Sequence, residues 1–262
     1  MKIYKDKTVL ITGASSGIGE SFAKRLNQLG AKLILTARSE DKLQQLADSM
    51  NDAIVIPGDL SDKSFPQKLY KEILNKGKTV DILINNAGFG FSGPFLDCEF
   101  KDYEEMINLN IFSLMHLTYL HLGDMVKRGD GGIINISSLA SYQPLPYFAV
   151  YAASKSFVTS FTLSLYEEYR TKGINILGVC PGYTKTNFNK RAHLAPQNVP
   201  GYIMSSDKVV EQSLRAFSKK KYVVINGKIN ILARFFMSIL PTGIAMRMAK
   251  AIIKRGMNKK QW

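Results

Sequence analysis

Short apolar runs rich in β-branched residues recur along the chain at 7–12, 32–36, 53–56, 81–84, 132–136, 174–179 and 222–225. Each has the length of a strand, and helix-length segments separate them. The first of those segments, ESFAKRLNQLG, places Phe22, Leu26 and Leu29 at helical spacing. This alternation predicts an α/β fold in which crossover helices join parallel strands. Parallel strands end on one edge of their sheet, and ligands of open α/β sheets bind beyond that edge. Gly13, Asp59, Asn86, Ser138 and Pro181 each directly follow a strand-like run, so the pattern gathers them there. No Pro/Gly/Ser-rich linker, repeat or low-complexity tract divides the 262 residues, and one domain is expected. No apolar stretch reaches the roughly 18 residues of a spanning helix. The first strand begins within a few residues of Met1, which leaves no room for a signal peptide ahead of it.

Two stretches carry chemistry. In SSLASYQPLPYFAVYAASK, Tyr151 follows Ser138 by thirteen residues and Lys155 follows Tyr151 by four. A spacing of four puts Tyr151 and Lys155 on one helix face. An ammonium beside a phenol favours the phenolate and is expected to lower the Tyr151 pKa. Such a tyrosine can exchange a proton with a substrate oxygen, and Ser138 adds a hydroxyl donor. The pair suits making or breaking a carbonyl, given a hydride source. The second stretch is Gly13-Ala14-Ser15-Ser16-Gly17-Ile18-Gly19, set between a strand and a helix. There Gly13 allows a tight turn, Gly17 a close approach to a pyrophosphate and Gly19 close packing of helix on strand. The spacing is G-x-x-x-G-x-G, not G-x-G-x-x-G. It also satisfies G-x-S-x-G, the turn of serine hydrolases, which would need an acid and then a later histidine. The histidines are His116, His121 and His193.

Taken together, TGASSGIG (12–19), Asp59-Leu60, NNAG (85–88), Asn110, Ser138, Tyr151-AAS-Lys155, and Pro181-Gly182 with Thr184 and Thr186 resemble the short-chain dehydrogenase/reductase family over residues 7 to about 190. The resemblance implies a single Rossmann-type domain, doubly wound around a parallel seven-stranded sheet. It also implies a nicotinamide cofactor cradled by Gly13, Ser15, Ser16, Gly17, Ile18 and Gly19. Asp59 would bind the adenine amino group, with Leu60 beside the ring. Asn86, Ala87 and Gly88 would pass along the ribose. Pro181 and Gly182 would lie against the nicotinamide, with Thr184 and Thr186 near its carboxamide or the phosphates. Ser138, Tyr151 and Lys155 would be catalytic, with Lys155 also holding the nicotinamide ribose. Asn110 would hold a water that relays protons from Lys155.

At the end of the second strand, family members preferring NAD place an acid. Here Ala37 stands in that place and Arg38 follows. An arginine can pair with a 2′-phosphate, so NADP is the expected cofactor. Two features temper this: Ser16 stands where many NADP-preferring relatives are basic, and Glu40 and Asp41 lie close to Arg38. The substrate pocket is expected from the loop after NNAG (Phe89, Phe91), the stretch Tyr142–Phe148 and the insert from Tyr183 to about Ser206. With Ser138 and Tyr151, Phe91 and Tyr183 are its expected contacts. These residues are aromatic and apolar, and a hydrophobic carbonyl compound or alcohol fits them.

Charge changes the picture only at the end of the chain. The formal net charge is +14. Gln212–Trp262 carries twelve of the basic residues and no Asp or Glu, hence +12 of that charge. The domain proper is taken as 1–228, with 229–262 as a basic helical extension packed on it. In the extension Ile244, Met248, Ala251 and Ile252 recur at helical spacing, with Arg247, Lys250, Lys254 and Arg255 between them. Such a helix can roof a substrate pocket or lie on an anionic membrane surface as a peripheral contact. Nucleic acid is not expected, because Phe235 and Phe236 sit in an apolar run. Cys98 and Cys180 read as reduced thiols of a cytoplasmic protein, and no metal-ligand spacing occurs. The extension is unlike the short Gly-Gly tails that build tetramers of acyl-carrier-protein reductases. A homodimer through helices at about 102–127 and 151–171 is therefore expected ahead of a tetramer. A 3-oxoacyl-thioester reductase and a non-catalytic NADP(H)-sensing protein remain the alternatives to a carbonyl reductase.

Overall fold

The computed structural model describes residues 1–194 and 203–257. Residues 195–202 of the Tyr183–Ser206 insert and 258–262 of the extension thus lie outside the described residues. The strands β1 (Thr8–Thr12), β2 (Lys32–Thr36), β3 (Ala53–Val55), β4 (Ile82–Asn85), β5 (Gly131–Ile136) and β6 (Ile174–Cys180) are followed by a two-residue ladder, β7 (Thr184–Lys185) with β8 (Met204–Ser205), and by β9 (Val223–Ile225). The main sheet has seven strands in the order β3-β2-β1-β4-β5-β6-β9, and every pairing in it is parallel. All seven lie on the apolar runs of the sequence.

Alternation along the strands sorts the core into two layers. Val9 and Ile11 of β1 face a layer shared with Phe22 and Leu26 of α1 (Gly17–Gln28) and Leu43 of α2 (Glu40–Asp48). Leu10, between them, faces the other layer. That layer holds Leu69 and Ile73 of α3 (Phe65–Asn75) and sits beside α5 (Leu114–Arg128), which follows α4 (Phe100–Ile107) and whose Leu117 and Met125 complete it. Each such side chain, fully buried, contributes on the order of 1.5–3 kcal/mol. Helix α6 (Ala149–Tyr169) packs on this second layer through Leu165 and Tyr166, and α8 (Ser206–Ser218) returns to the first through Val210 and Leu214, after the short α7 (Phe188–Arg191). The result is a doubly wound α/β domain of Rossmann type.

A third apolar cluster sits off the sheet, at its carboxyl edge. It joins Phe89 after β4, Met106 of α4, Phe148 and Tyr151 of α6, and Ala249 and Ile253 of α10 (Thr242–Gly256). Helix α9 (Lys228–Ile239), just before α10, buries none of its side chains. The apolar positions read from the sequence for α10 are on its outer side: Ile244 and Met248 are exposed, while Ala245, Ala249 and Ile253 face inward. Among the described residues no helix is long and apolar enough to cross a membrane.

Candidate active site

At the end of β1 the backbone must turn sharply into α1, and it does so with Gly13 at φ 64° and Gly17 at φ 60°, where a side chain would be strained. The turn is pressed against the segment after β4. Thr12 Oγ1 accepts the backbone N–H groups of Asn86 (2.9 Å) and Ala87 (3.0 Å), and Asn86 Nδ2 donates to the Thr12 carbonyl at 2.9 Å. A Cβ on Gly19 would run into the Gly13 carbonyl oxygen. Gly19→Ala is therefore expected to cost about 1–3 kcal/mol, read as a lower Tm. Ser16 precedes α1 without capping it, so the first-turn N–H groups of this twelve-residue helix remain open to an anion. Thr186 stands over the turn, its methyl 3.0 Å from where a Gly17 Cβ would be. Ser15, Ser16 and Ile18 line the same turn, half-buried. A dinucleotide pyrophosphate fits this cradle.

Further along the edge, Arg38 and Asp59 face each other, Nη1 to Oδ2 at 3.9 Å, both about half exposed. The other Asp59 oxygen accepts Ser61 N–H at 2.9 Å and Ser61 Oγ at 2.7 Å, which fixes the carboxylate. Leu60 is buried in the core layer with Leu69 and Ile73. Its carbonyl accepts the Ser113 hydroxyl.

The reacting groups are deeper. Tyr151 and Lys155 both sit on the first turns of α6 and both are buried. The Tyr151 ring stacks on Phe148 with centroids 4.4 Å apart and meets Phe188 at 5.3 Å. Burial holds its phenol at about 12, against a smaller opposite pull from the Ser138 hydroxyl. Burial also lowers the Lys155 ammonium to about 8. Lys155 Nζ donates to the Ile136 carbonyl at 2.9 Å and lies 5.8 Å from the Tyr151 ring centre. The expected lowering of Tyr151 by Lys155 is therefore corrected: desolvation of the phenolate dominates and only the Ser138 hydroxyl pulls the other way. Ser138 Oγ accepts the Ala140 N–H at 3.1 Å, and its own hydroxyl faces the Tyr151 phenol.

Asn110 is fully buried. Its Oδ1 accepts Phe89 N–H at 3.1 Å, and its Nδ2 donates to the Phe89 carbonyl at 2.9 Å and to Ser154 Oγ at 3.1 Å. It lies in a wide π-turn, Asn108–Ser113, that joins α4 to α5. The helix expected at about 102–127 is thus present and continuous from Phe100 to Arg128, widened by one π segment where an amide ties the loop after β4 to α6. Both Nδ2 protons are used in that tie, while Oδ1 keeps a second lone pair. Gly88 is wedged beside it: a Cβ there would lie 3.0 Å from Asn110 Oδ1 and 3.3 Å from Lys155 Nζ.

The Pro181 carbonyl accepts Leu139 N–H at 2.8 Å, tying the end of β6 to the Ser138 segment. Gly182 is covered by Asn230 of α9. Thr184 donates from Oγ1 to the Gly182 carbonyl at 3.0 Å. Phe91 packs edge-on against Tyr103 and His193, and Tyr183 packs against the same cluster, its phenol raised by burial to about 12. The sequence reading missed Ser137, whose hydroxyl fixes α6 by donating to the Lys155 carbonyl at 2.9 Å. It missed Gly90, where a Cβ would lie 2.9 Å from both Phe148 and Tyr151. It also missed Ala249 and Ile253, apolar residues with no chemical signature that roof the cluster.

A family model for short chain dehydrogenase matches residues 7–196. An uncharacterized oxidoreductase of Staphylococcus epidermidis is 33% identical over 206 residues, covering 76% of this chain and 90% of its own. A very-long-chain 3-oxoacyl-CoA reductase of Macaca fascicularis is 33% identical over 250 residues, covering 92% of this chain and 77% of its own. Among solved structures, a short-chain dehydrogenase from Sphingobium yanoikuyae in complex with NADPH superposes with a TM-score of 0.79 at 29% identity, over 90% of this chain and 96% of its own.

Proposed function

The chain belongs to the short-chain dehydrogenase/reductase family and is a nicotinamide-dependent oxidoreductase; from that premise we propose that it reduces the carbonyl group of a hydrophobic substrate, with NADPH preferred over NADH. The observation that carries this reading is the burial of Tyr151 and Lys155 under an apolar cluster that includes Phe89, Phe148 and Ala249. Bound NADPH supplies the hydride. A phenol held at about 12 keeps its proton at neutral pH, and Tyr151 acts as general acid toward the substrate oxygen. Ser138, its Oγ already accepting from Ala140, donates its proton to that same oxygen and stabilises its developing charge. Lys155 stays largely protonated below about pH 8 and supplies positive charge beneath Tyr151. Asn110 is a positioning residue that sets Phe89, and with it Gly88, against α6.

For the cofactor, Gly13, Gly17 and Gly19 with the start of α1 hold the pyrophosphate. Asn86, Ala87 and Gly88 follow the ribose, and Pro181, Gly182, Thr184 and Thr186 flank the nicotinamide end. Arg38 pairs with the 2′-phosphate, releasing its 3.9 Å contact with Asp59. Arg38→Asp is expected to lower kcat/KM with NADPH by about 10–100-fold, the worth of one hydrogen bond to a charged group, and to leave the value with NADH unchanged or higher. Steady-state kinetics with the two cofactors checks this.

A 3-oxoacyl thioester is the second substrate class, favoured by the likeness to the Macaca enzyme over 92% of this chain. The enclosing aromatic cluster suits either class. A homodimer through the outer faces of α5 and α6 is proposed, since Met115 and Tyr119 stand exposed on α5. The functional test is NADPH consumption against apolar ketones, aldehydes and 3-oxoacyl thioesters. Turnover abolished by Tyr151→Phe supports the reading. Tight NADPH binding with no turnover on any compound overturns it in favour of a cofactor-sensing protein.

A further inference from the structure

Helix α9 has an unusual exposure pattern. At roughly 100° per residue, Ile229, Ile231, Leu232, Phe235, Phe236 and Ile239 fall on one face spanning roughly 160°. All six are more than half exposed, Ile239 at 63% and Phe235 at 59%. The opposite face touches the domain at only a few points. Asn230 Nδ2 donates to the Asn226 carbonyl at 2.6 Å, and the Arg234 guanidinium lies 4.3 Å from the centre of the Tyr142 ring. After Leu240-Pro241, the outer side of α10 continues the patch with Ile244 and Met248. Scattered exposed apolar residues are ordinary; a contiguous helical face of them marks a contact surface.

What covers this face is indicated by its charge. Lys228 opens α9, and Arg247 and Arg255 stand exposed on α10. An open groove of about 550 Å³ beside the start of α9 is lined by Lys208, Arg215 and Lys228, with Glu211 the one acid among its lining residues. From Gln212 onward the sequence has no acid at all. Two copies meeting face to face would bring two such segments of like charge together, which costs energy at every approach. An apolar face with a cationic rim, Glu211 being paired with Arg25 and Arg215, matches an anionic lipid surface instead, where each Lys or Arg near the headgroups contributes about 1 kcal/mol.

We infer that the outer face of α9 and the first half of α10 form a docking surface for an anionic bilayer. This differs from the role of α10 as a roof: one side of α10 closes the Tyr151 cluster through Ala249 and Ile253, while its other side adds to the docking face. Deleting the whole extension would therefore confuse the two, and point variants on α9 separate them. On the reductase reading, docking would turn the Gly182 and Tyr142 side of the site toward the bilayer, because α9 abuts both.

The test is sedimentation of the full-length protein with phosphatidylcholine vesicles, with and without phosphatidylglycerol. Binding needs no turnover, so its result is independent of the substrate. The wild type is expected to partition onto the anionic vesicles and to be released as salt rises. Phe235→Asp with Phe236→Asp is expected to lose at least tenfold in partitioning, with Tm and NADPH binding unchanged. Arg247→Glu with Arg255→Glu is expected to lose the preference for anionic over neutral vesicles. Equal binding to both vesicle types by the wild type, or undiminished binding by the phenylalanine variant, overturns the proposal. A change of oligomeric state in the phenylalanine variant also overturns it, in favour of a second copy on this face.

Discussion

Tyr151→Phe is expected to reduce NADPH-dependent carbonyl turnover by about 10³-fold while leaving the fold and NADPH affinity intact. A positioned general acid contributes roughly 10²–10⁴-fold, and the neighbouring Tyr183 phenol, also held at about 12, is not the one that the Ser138 hydroxyl faces. Ser138 has a proton to give, but a serine hydroxyl is a far weaker acid than a phenol. Phe148 and Phe188, on which the Tyr151 ring packs, would hold a phenylalanine ring as well, so Tm should stay within the error of measurement. Stopped-flow comparison of hydride transfer in the two proteins, with binding measured separately, checks both halves. A variant within tenfold of wild type would remove Tyr151 from its assigned role.

Lys155→Met is expected to do two opposite things. Turnover should fall by about 10²-fold or more, because a positive charge below the phenol is lost from a dry site where such charges count most. Stability at neutral pH should rise. Burial lowers the Lys155 pKa from 10.5 to about 8, so the native state disfavours the proton that the unfolded chain still holds. Between pH 8 and 10.5 the unfolded state binds more protons, and stability therefore increases with pH across that window. Below pH 8 the whole penalty, on the order of 3 kcal/mol, is present. Methionine removes it and gives up the hydrogen bond to Ile136, about 1 kcal/mol. The net expectation is a gain of about 1–2 kcal/mol, or a few degrees in Tm, at pH 7. The gain should shrink toward pH 10. For the wild type, kcat/KM for reduction should fall above pH about 8 as Lys155 loses its charge. Thermal melts of both proteins at pH 7 and pH 9.5 decide the stability half.

The sheet was legible because buried parallel strands leave strong marks: apolar runs such as TVLIT and INILGVC admit no other reading at that spacing. Its carboxyl edge was legible for the same reason, since Gly13, Asp59, Asn86, Ser138 and Pro181 follow those runs immediately. Elsewhere the local signal was weak. The β7–β8 ladder has two residues per strand, too few to show a period. The π-turn at Asn110 depends on a partner, the Phe89 backbone, twenty-one residues away. In α10 the apolar stripe of the sequence is the exposed one, because alanines at 245 and 249 allow the close approach that larger side chains would prevent. The electrostatics of Tyr151 and Lys155 misled for a different reason. Spacing says that two groups share a helix face; only the packing around them says how much it costs to charge either.

The roof over the cluster has a consequence for how the protein is made. The Gly13–Gly19 turn and the segment after β4 that it presses against are complete by about Gly88, whereas Ala249 and Ile253 leave the ribosome much later. A nascent chain that has emerged through α6 can already assemble most of its sheet, with Phe89, Phe148 and Tyr151 still uncovered. Partly folded chains with exposed aromatic surface are those most prone to associate. The interval before α10 arrives is thus when this protein has most need of a chaperone, and a pause in translation there would be felt as lost yield and not as lost activity.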